Sequence, residues 1–306
     1  MMDIKTRINT ILKISRHEYH HLMSFQNVRG VGYGYKHVNG TNTFTPCIHV
    51  LVEKKVDLKL LSSNQIIPKY HKGIITDVIE IGNPKQLSLT DRIRPLEGGY
   101  AISATGQTKN SGTIGCIVTK GTVFKDYYIL SNNHVMAGNN TFKIGTPIIQ
   151  TAARFGGSAP KDTVANLSKF VPIGFESTSE NLMDAAIAKL TDKSFVSNRI
   201  ALTGKIKGVG NPKINLEVRK VGITTGASKG KIITMGASVH VECGGKYAFF
   251  VDQIVSDNSC GGGDSGATVL NLNNEIVGLL FAGSSSKCIF SNIKDVMKVL
   301  KIDIYK

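Results

Sequence analysis

The chain has no apolar run long enough to cross a membrane, which excludes a helical membrane span. Its opening residues, Met1 to Arg7, lead into an amphipathic pattern and not into the apolar core of a signal peptide. Acidic residues are few, 22 against 37 Lys and Arg, for a net charge of +15. Yet there is no run of five basic residues and no basic-aromatic interleaving, so a dedicated nucleic-acid site is not expected, although charge alone leaves one open. The surplus reads as a lysine-rich solvated surface. Cysteines are scarce and odd in number, five in all at positions 47, 116, 243, 260 and 288. A secreted protein would tend to pair its cysteines, so this count points to a reducing compartment and a cytoplasmic protein.

What the chain does have is glycine and short apolar runs: 32 glycines and 41% hydrophobic residues in 306 fit a β-rich globular protein with many turns. Residues 3–23 carry Ile4, Ile8, Ile11, Leu12, Tyr19 and Leu22 at helical spacing, which predicts one amphipathic helix. Within it His17-Glu18-Tyr19-His20-His21 satisfies H-E-x-x-H, the layout of a zinc peptidase helix. No third ligand follows and the pattern is short, so a solvated helix face is expected, with no metal and no cofactor. Val31 to Tyr35 and Ile48 to Val52 read as strands joined by a turn at Asn39-Gly40, and Ile74 to Ile81 as a third. The Gly30-x-Gly32-x-Gly34 spacing lacks the following helix that a phosphate loop needs. Residues 1–83 therefore form a helix plus a small α/β module. Residues 84–97 are an entry segment, and residues 28–82 are a candidate surface for a regulatory protein partner.

From residue 98 onward short strands recur between Gly, Asn and Pro, predicting a barrel fold. The first barrel is expected at about 98–195, the second at about 196–290 and a closing helix at 292–301, with Asn292 as its N-cap and acidic Asp295 at N3. Cys116 falls on a core strand and reads as a small buried hydrophobe. The stretch 222–231 misses Walker A spacing and is read as two strands and a turn.

Three segments carry chemistry. In Asn258-Ser259-Cys260-Gly261-Gly262-Gly263-Asp264-Ser265-Gly266 a glycine run collapses onto a tight turn before an apolar strand. That is what a serine nucleophile needs, and the amides of Gly263 and Ser265 are candidates to aim at one developing oxyanion. Tyr127 to Ser131 reads as a strand running into a turn that presents His134, and Asp184 heads another apolar strand through Leu190. A serine hydroxyl needs a base in reach, and the base needs an orienting carboxylate.

In the order His134, Asp184, Ser265 these segments resemble the chymotrypsin-like (trypsin-fold) serine peptidases, from about Gly98 to the C-terminus. Ser131-Asn-Asn-His-Val135 is similar to bacterial HtrA-like peptidases, and the Narrow-leaf-like group is a further likeness. The resemblance implies a chymotrypsin-like double β-barrel with a C-terminal helix, here preceded by the small α/β module. It implies a serine endopeptidase acting on protein or peptide substrates, with a retained but catalytically silent binding scaffold as the alternative. It also implies a substrate pocket lined by Ser259, Cys260, Phe281, Ala282 and Gly283, where an extra glycine shifts the alignment of Ser259 and Cys260 by one position. No acidic residue stands at the expected pocket base, which favours a small or apolar residue before the scissile bond. Cys260 and Cys288 flank that pocket, bonded or not. A cut after Arg94 would expose proline, so the new N-terminus that pairs with the corresponding aspartate in digestive relatives is not expected here. Asp264 then needs another cation, or the turn is held by other contacts.

Overall fold

The computed structural model describes residues 3–84, 88–121 and 125–306. The chain divides into two units, Met1–Leu87 and Ser88–Lys306. Residues 85–87 of the expected entry segment lie outside the described residues. Among the described residues no helix is long and apolar enough to cross a membrane.

The first unit opens with α1 (Ile4–His17), capped by the Asp3 carboxylate, which accepts from the Thr6 amide at 3.0 Å. The single expected helix is broken at Glu18, and α2 (His20–Met23) follows. The H-E-x-x-H residues are thus split: His17 ends one helix, His21 lies in the next, and Glu18 is tied to Lys72 (2.5 Å) and Lys13 (2.9 Å). Those two ammonium groups hold the Glu18 carboxyl down at about 2. The two imidazoles therefore do not share one helix face, and the zinc-peptidase layout is not built.

A four-stranded sheet, order β1-β2-β4-β3, completes the unit, from β1 (Val28–Val38), β2 (Thr41–Val52), β3 (Tyr70–His71) and β4 (Ile74–Glu80). The β1–β2 turn places Asn39 (φ 49°) and Gly40 (φ 79°) in the left-handed region, the geometry that makes Asn-Gly a hairpin signal. Ile48, Val50 and Val52 of β2 join Ile11, Ile14 and Leu22 in one core. By strand alternation His49 and Leu51 face the other side of the sheet.

The second unit begins with an eight-stranded sheet, order β21-β7-β8-β11-β10-β9-β5-β6. Its members are β5 (Ala101–Ala104), β6 (Gly112–Thr113), β7 (Cys116–Lys120), β8 (Asp126–Ser131), β9 (Pro147–Ile149), β10 (Thr163–Phe170), β11 (Ala186–Leu190) and β21 (Asp303–Ile304). β6 pairs with β5 and runs almost directly into β7, which pairs with β8, so the sheet curls shut around Ile102, Ile114, Ile129, Val164 and Ala186. A single helical turn, α3 (Asn133–Met136), follows β8 where a plain turn was expected.

After a two-stranded piece, β12 (Arg199–Ile200) and β13 (Gly204–Lys205), comes a seven-stranded sheet, order β14-β19-β18-β15-β16-β17-β20. It contains β14 (Gly208–Val209), β15 (Glu217–Gly222), β16 (Gly226–Glu242), β17 (Tyr247–Ser256), β18 (Thr268–Asn271), β19 (Glu275–Gly283) and β20 (Cys288–Asn292). β20 also pairs with β19, closing the sheet into a ring around Val218, Ile232, Val269, Val277 and Phe290. The closing helix α4 (Ile293–Leu300) has the Asn292 side chain on the Lys294 amide and packs Ile293, Val296 and Leu300 into a third core. That core also takes Cys116, Leu130 and Ile187 from the first barrel and Val221, Leu270 and Leu279 from the second, so it lies between the two.

Candidate active site

The first barrel supplies an acid–base pair. α3 starts where β8 ends, and Asp184 sits in the extended residues just before β11, so the pairing of β8 with β11 brings them together. The Asp184 carboxylate, 1% exposed, accepts through Oδ1 from the amides of Asn133 (2.6 Å) and His134 (3.3 Å). Its Oδ2 accepts from His134 Nδ1 at 2.5 Å. A carboxylate oxygen can only accept here, so the ring proton is on Nδ1 and the lone pair is on Nε2. Burial lowers the His134 pKa, but the attraction of Asp184 and this hydrogen bond outweigh it and leave it above the ordinary 6.5. The Asp184 carbonyl in turn accepts from Asn132 Nδ2 (2.6 Å), and the Asn133 side chain reaches the Val171 carbonyl (2.7 Å), which fixes the whole segment.

The second barrel supplies the serine turn between β17 and β18. Gly263 has φ +106°, a conformation that side chains resist. The Gly262 carbonyl accepts from Thr224 Oγ1 (2.5 Å) and the Gly263 carbonyl from Thr113 Oγ1 (2.8 Å). In a trans peptide N–H points opposite to C=O. The Gly263 amide is thereby turned away from Thr224, and neither it nor the Ser265 amide donates to any group among the described residues. Between them the Asp264 amide is used, donating to the Gly261 carbonyl at 3.0 Å. Two free donors flanking one engaged amide form a concave pair suited to an oxyanion.

Asp264 itself answers the question of its partner. It is fully buried and meets the equally buried Lys220 ammonium at 2.6 Å. Its Oδ1 also accepts from the Thr224 (2.8 Å) and Thr225 (3.2 Å) amides, and its Oδ2 from Thr225 Oγ1 (2.7 Å) and the Gly261 amide (3.0 Å). Lys220 Nζ also bonds Thr225 Oγ1. Burial pushes the Asp264 pKa up, but Lys220 and Thr225 outweigh it and hold the carboxyl below 3.8. Lys220, Thr224, Thr225 and Thr113 escaped the sequence reading. A signal existed for Lys220: it is in phase with Val218 on a strand, two residues on, and so points inward with it.

One cavity of about 880 Å³ is lined by His134, Asp184, Gly263 and Ser265 together with Cys260, Phe281, Ala282 and Gly283. Ser259 does not line it. Its carbonyl accepts from Ser228 Oγ (3.0 Å) and Cys288 Sγ (3.5 Å), which turns that residue into the wall and gives the pocket position to Cys260. Cys260 and Cys288 are unbonded, and all five cysteines are free thiols. The Ser265 hydroxyl donates to the Phe281 carbonyl at 3.2 Å and makes no hydrogen bond to His134. Acid, base and serine thus share one cavity, with the serine turned to a backbone acceptor.

A closed barrel carrying the histidine–aspartate pair, a second carrying the serine turn and a helix closing the chain are the architecture of a chymotrypsin-like serine protease. The chain belongs to the trypsin family, which matches residues 97–298. Residues 6–80 match the NARROW LEAF 1 N-terminal domain. Among solved structures, Nocardiopsis protease is similar at 14% identity and TM-score 0.51, over 69% of this chain and 98% of its own. Thermobifida fusca protease A is similar at 15% identity and TM-score 0.50, with the same coverage. A glutamic acid specific serine protease that uses a histidine triad in substrate binding is similar at 20% identity and TM-score 0.50, over 69% of this chain and all of its own. No curated protein matches the chain.

Proposed function

We propose that the protein is an intracellular serine endopeptidase in which Ser265 attacks the scissile carbonyl, His134 takes its proton and Asp184 holds the imidazole. The observation that carries this reading is the pair of amides, Gly263 and Ser265, without an acceptor among the described residues, on the cavity that also holds the His134–Asp184 pair. The hydroxyl would leave the Phe281 carbonyl by rotation about χ1 when substrate enters, since catalytic hydrogen bonds often tighten only in the complex. Nε2 of His134, carrying the lone pair, is the base. The two amides would then stabilise the tetrahedral oxyanion, and the imidazolium would return its proton to the leaving amine. Mapping by mass spectrometry of products from a peptide library, wild type against Ser265→Ala, tests the reading. Products that appear equally with the alanine variant would refute it.

The raised pKa of His134 gives a pH signature. Only the neutral imidazole accepts a proton, so kcat/KM should rise with pH through a midpoint above 6.5. In Asp184→Asn burial would act unopposed, and the midpoint should fall below that of the wild type while kcat drops by about 10⁴-fold. A pH–rate profile of both proteins checks the direction, and a midpoint that does not move would detach Asp184 from the base.

For substrate, the cavity residues Cys260, Ala282 and Gly283 favour a small or apolar residue before the scissile bond. Farther along the lining, Lys109, Arg154 and Lys287 form no ion pair among the described residues. The lining carboxylates are engaged, Asp184 by His134 and Glu242 by the Gly245 amide. Acidic residues flanking the cleavage site should therefore raise kcat/KM by about five- to tenfold over basic ones at low salt, about 1 kcal/mol of attraction. The preference should shrink in high salt and invert in Arg154→Glu/Lys287→Glu. A flat profile across flanking charges would remove this part of the proposal.

A further inference from the structure

The first unit holds a group of metal-ligating side chains that the peptidase reading does not use. His37 near the end of β1, His49 on β2 and Asp77 on β4 bring one ligand atom each to within 4.8 Å of one another. The topology makes this grouping. His49 and Asp77 are register partners on adjacent parallel strands, so their side chains leave the same face of the sheet, opposite the helix-packed core. An irregularity between Tyr35 and His37 in the β1–β2 pairing then brings His37 to them.

Two of the three potential ligands, His49 and Asp77, are oriented by a second partner. His49 Nε2 meets the Tyr35 carbonyl at 3.0 Å. A carbonyl only accepts, so Nε2 carries the proton and Nδ1 keeps its lone pair. Asp77 is buried, with Oδ1 held by Lys36 Nζ at 2.8 Å and Oδ2 by the His37 amide at 2.8 Å. His37 Nδ1 stands 3.8 Å from Asp77 Oδ2. The His49 ring lies over Gly34, where a Cβ would come within 2.0 Å of the imidazole, so only glycine leaves it room. A carbonyl behind one imidazole and hydrogen bonds to both carboxylate oxygens are the supports that metal ligands characteristically have.

We propose that His37, His49 and Asp77 bind one divalent transition-metal ion of the zinc type, tying together the three strands β1, β2 and β4. Two imidazoles and one carboxylate select zinc, cobalt, nickel or copper over magnesium and calcium. An ion about 2.1 Å from each ligand places the ligand atoms roughly 3.4 Å apart. Rotation of the exposed His37 side chain is the adjustment that closes the set. With three protein ligands the ion keeps an open position for water. The Lys36 ammonium repels the ion at the same time as it orients Asp77, which weakens the site relative to one without a neighbouring cation.

The experiment uses the full chain, stripped with a chelator and titrated with Co²⁺ and then Zn²⁺, reading the visible absorption of bound Co²⁺ and the heat of Zn²⁺ binding. One ion per chain should bind, with Zn²⁺ displacing Co²⁺. His37→Ala, His49→Ala and the near-isosteric Asp77→Asn should each weaken binding by at least about tenfold. Circular dichroism shows whether each variant is folded, and Asp77→Asn keeps the test decisive if an alanine variant is not. His17→Ala/His21→Ala should leave the titration unchanged. The proposal is overturned by absence of saturable binding up to about 1 mM metal. It is equally overturned by folded His49→Ala and Asp77→Asn proteins that bind as the wild type does, or by loss of binding in His17→Ala/His21→Ala. None of these readouts depends on peptidase activity.

Discussion

Replacing Ser265 with alanine should lower kcat on the order of a millionfold, and His134→Ala should do nearly the same. The magnitude follows from how the three groups work. Without the hydroxyl there is no nucleophile for the acyl transfer. Without the imidazole the hydroxyl keeps its proton, and no base near neutral pH replaces it. Because the two residues act in one step, the double variant should lose little beyond either single one. What remains, about 10³–10⁴ over the reaction in water, belongs to substrate binding and to the Gly263 and Ser265 amides. The alanine removes only one hydrogen bond to the Phe281 carbonyl, so stability should change little. Single-turnover rates on one cleaved peptide, with a thermal melt of each variant, separate lost chemistry from lost fold. Residual activity within tenfold of the wild type in Ser265→Ala would mean another nucleophile.

Lys220→Met should be the most damaging change outside the catalytic groups, costing about 3–5 kcal/mol. Methionine fits the volume, but it leaves the Asp264 carboxylate buried without its cation, and that uncompensated charge is what costs. In a unit of this size the melting temperature should fall by about 10 °C. Activity should fall as well, because Asp264 ties Thr224, Thr225 and Gly261 around the serine turn. Adding Asp264→Asn removes the charge while keeping an acceptor for the Thr224 amide, so the double variant should recover part of the lost stability. Failure to recover any would place the cost in packing. The same site gives an acid limit. The folded carboxyl lies below 3.8, so the folded state binds its proton less readily than the unfolded chain. Its stabilisation is full above about 3.8 and is lost as pH falls through the lower folded value.

The mostly β architecture and the closing helix were legible because Val, Ile and Gly alternate at strand spacing and because Asn292 announces its helix. The three segments around His134, Asp184 and Ser265 were legible for a different reason: each motif is local, and their order is specific. What was hidden depends on contacts far apart in sequence. Lys220 meets Asp264 across the pairing of β15 with β18, and Thr113 reaches the Gly263 carbonyl from the other barrel. The break at Glu18 was also hidden, since the helical period continues through it while the ion pairs with Lys13 and Lys72 form only in three dimensions. Ser259 lies outside the cavity lining because the extra glycine before Asp264 leaves the alignment of Ser259 and Cys260 open by one position, and Cys260 takes the place. The His37, His49 and Asp77 grouping rests on a strand irregularity that no spacing announces.

The central claim, an activated serine opposite two aimed amides, is tested most directly by covalent labelling with a fluorophosphonate. Purified wild-type protein should label at Ser265, identified by mass of the modified peptide, and both Ser265→Ala and His134→Ala should stay unlabelled while folded. A folded wild-type protein that never labels, or a Ser265→Ala protein that labels as well as the wild type, would contradict the account. The first result would leave the fold as a binding scaffold, and the second would move the chemistry to another residue.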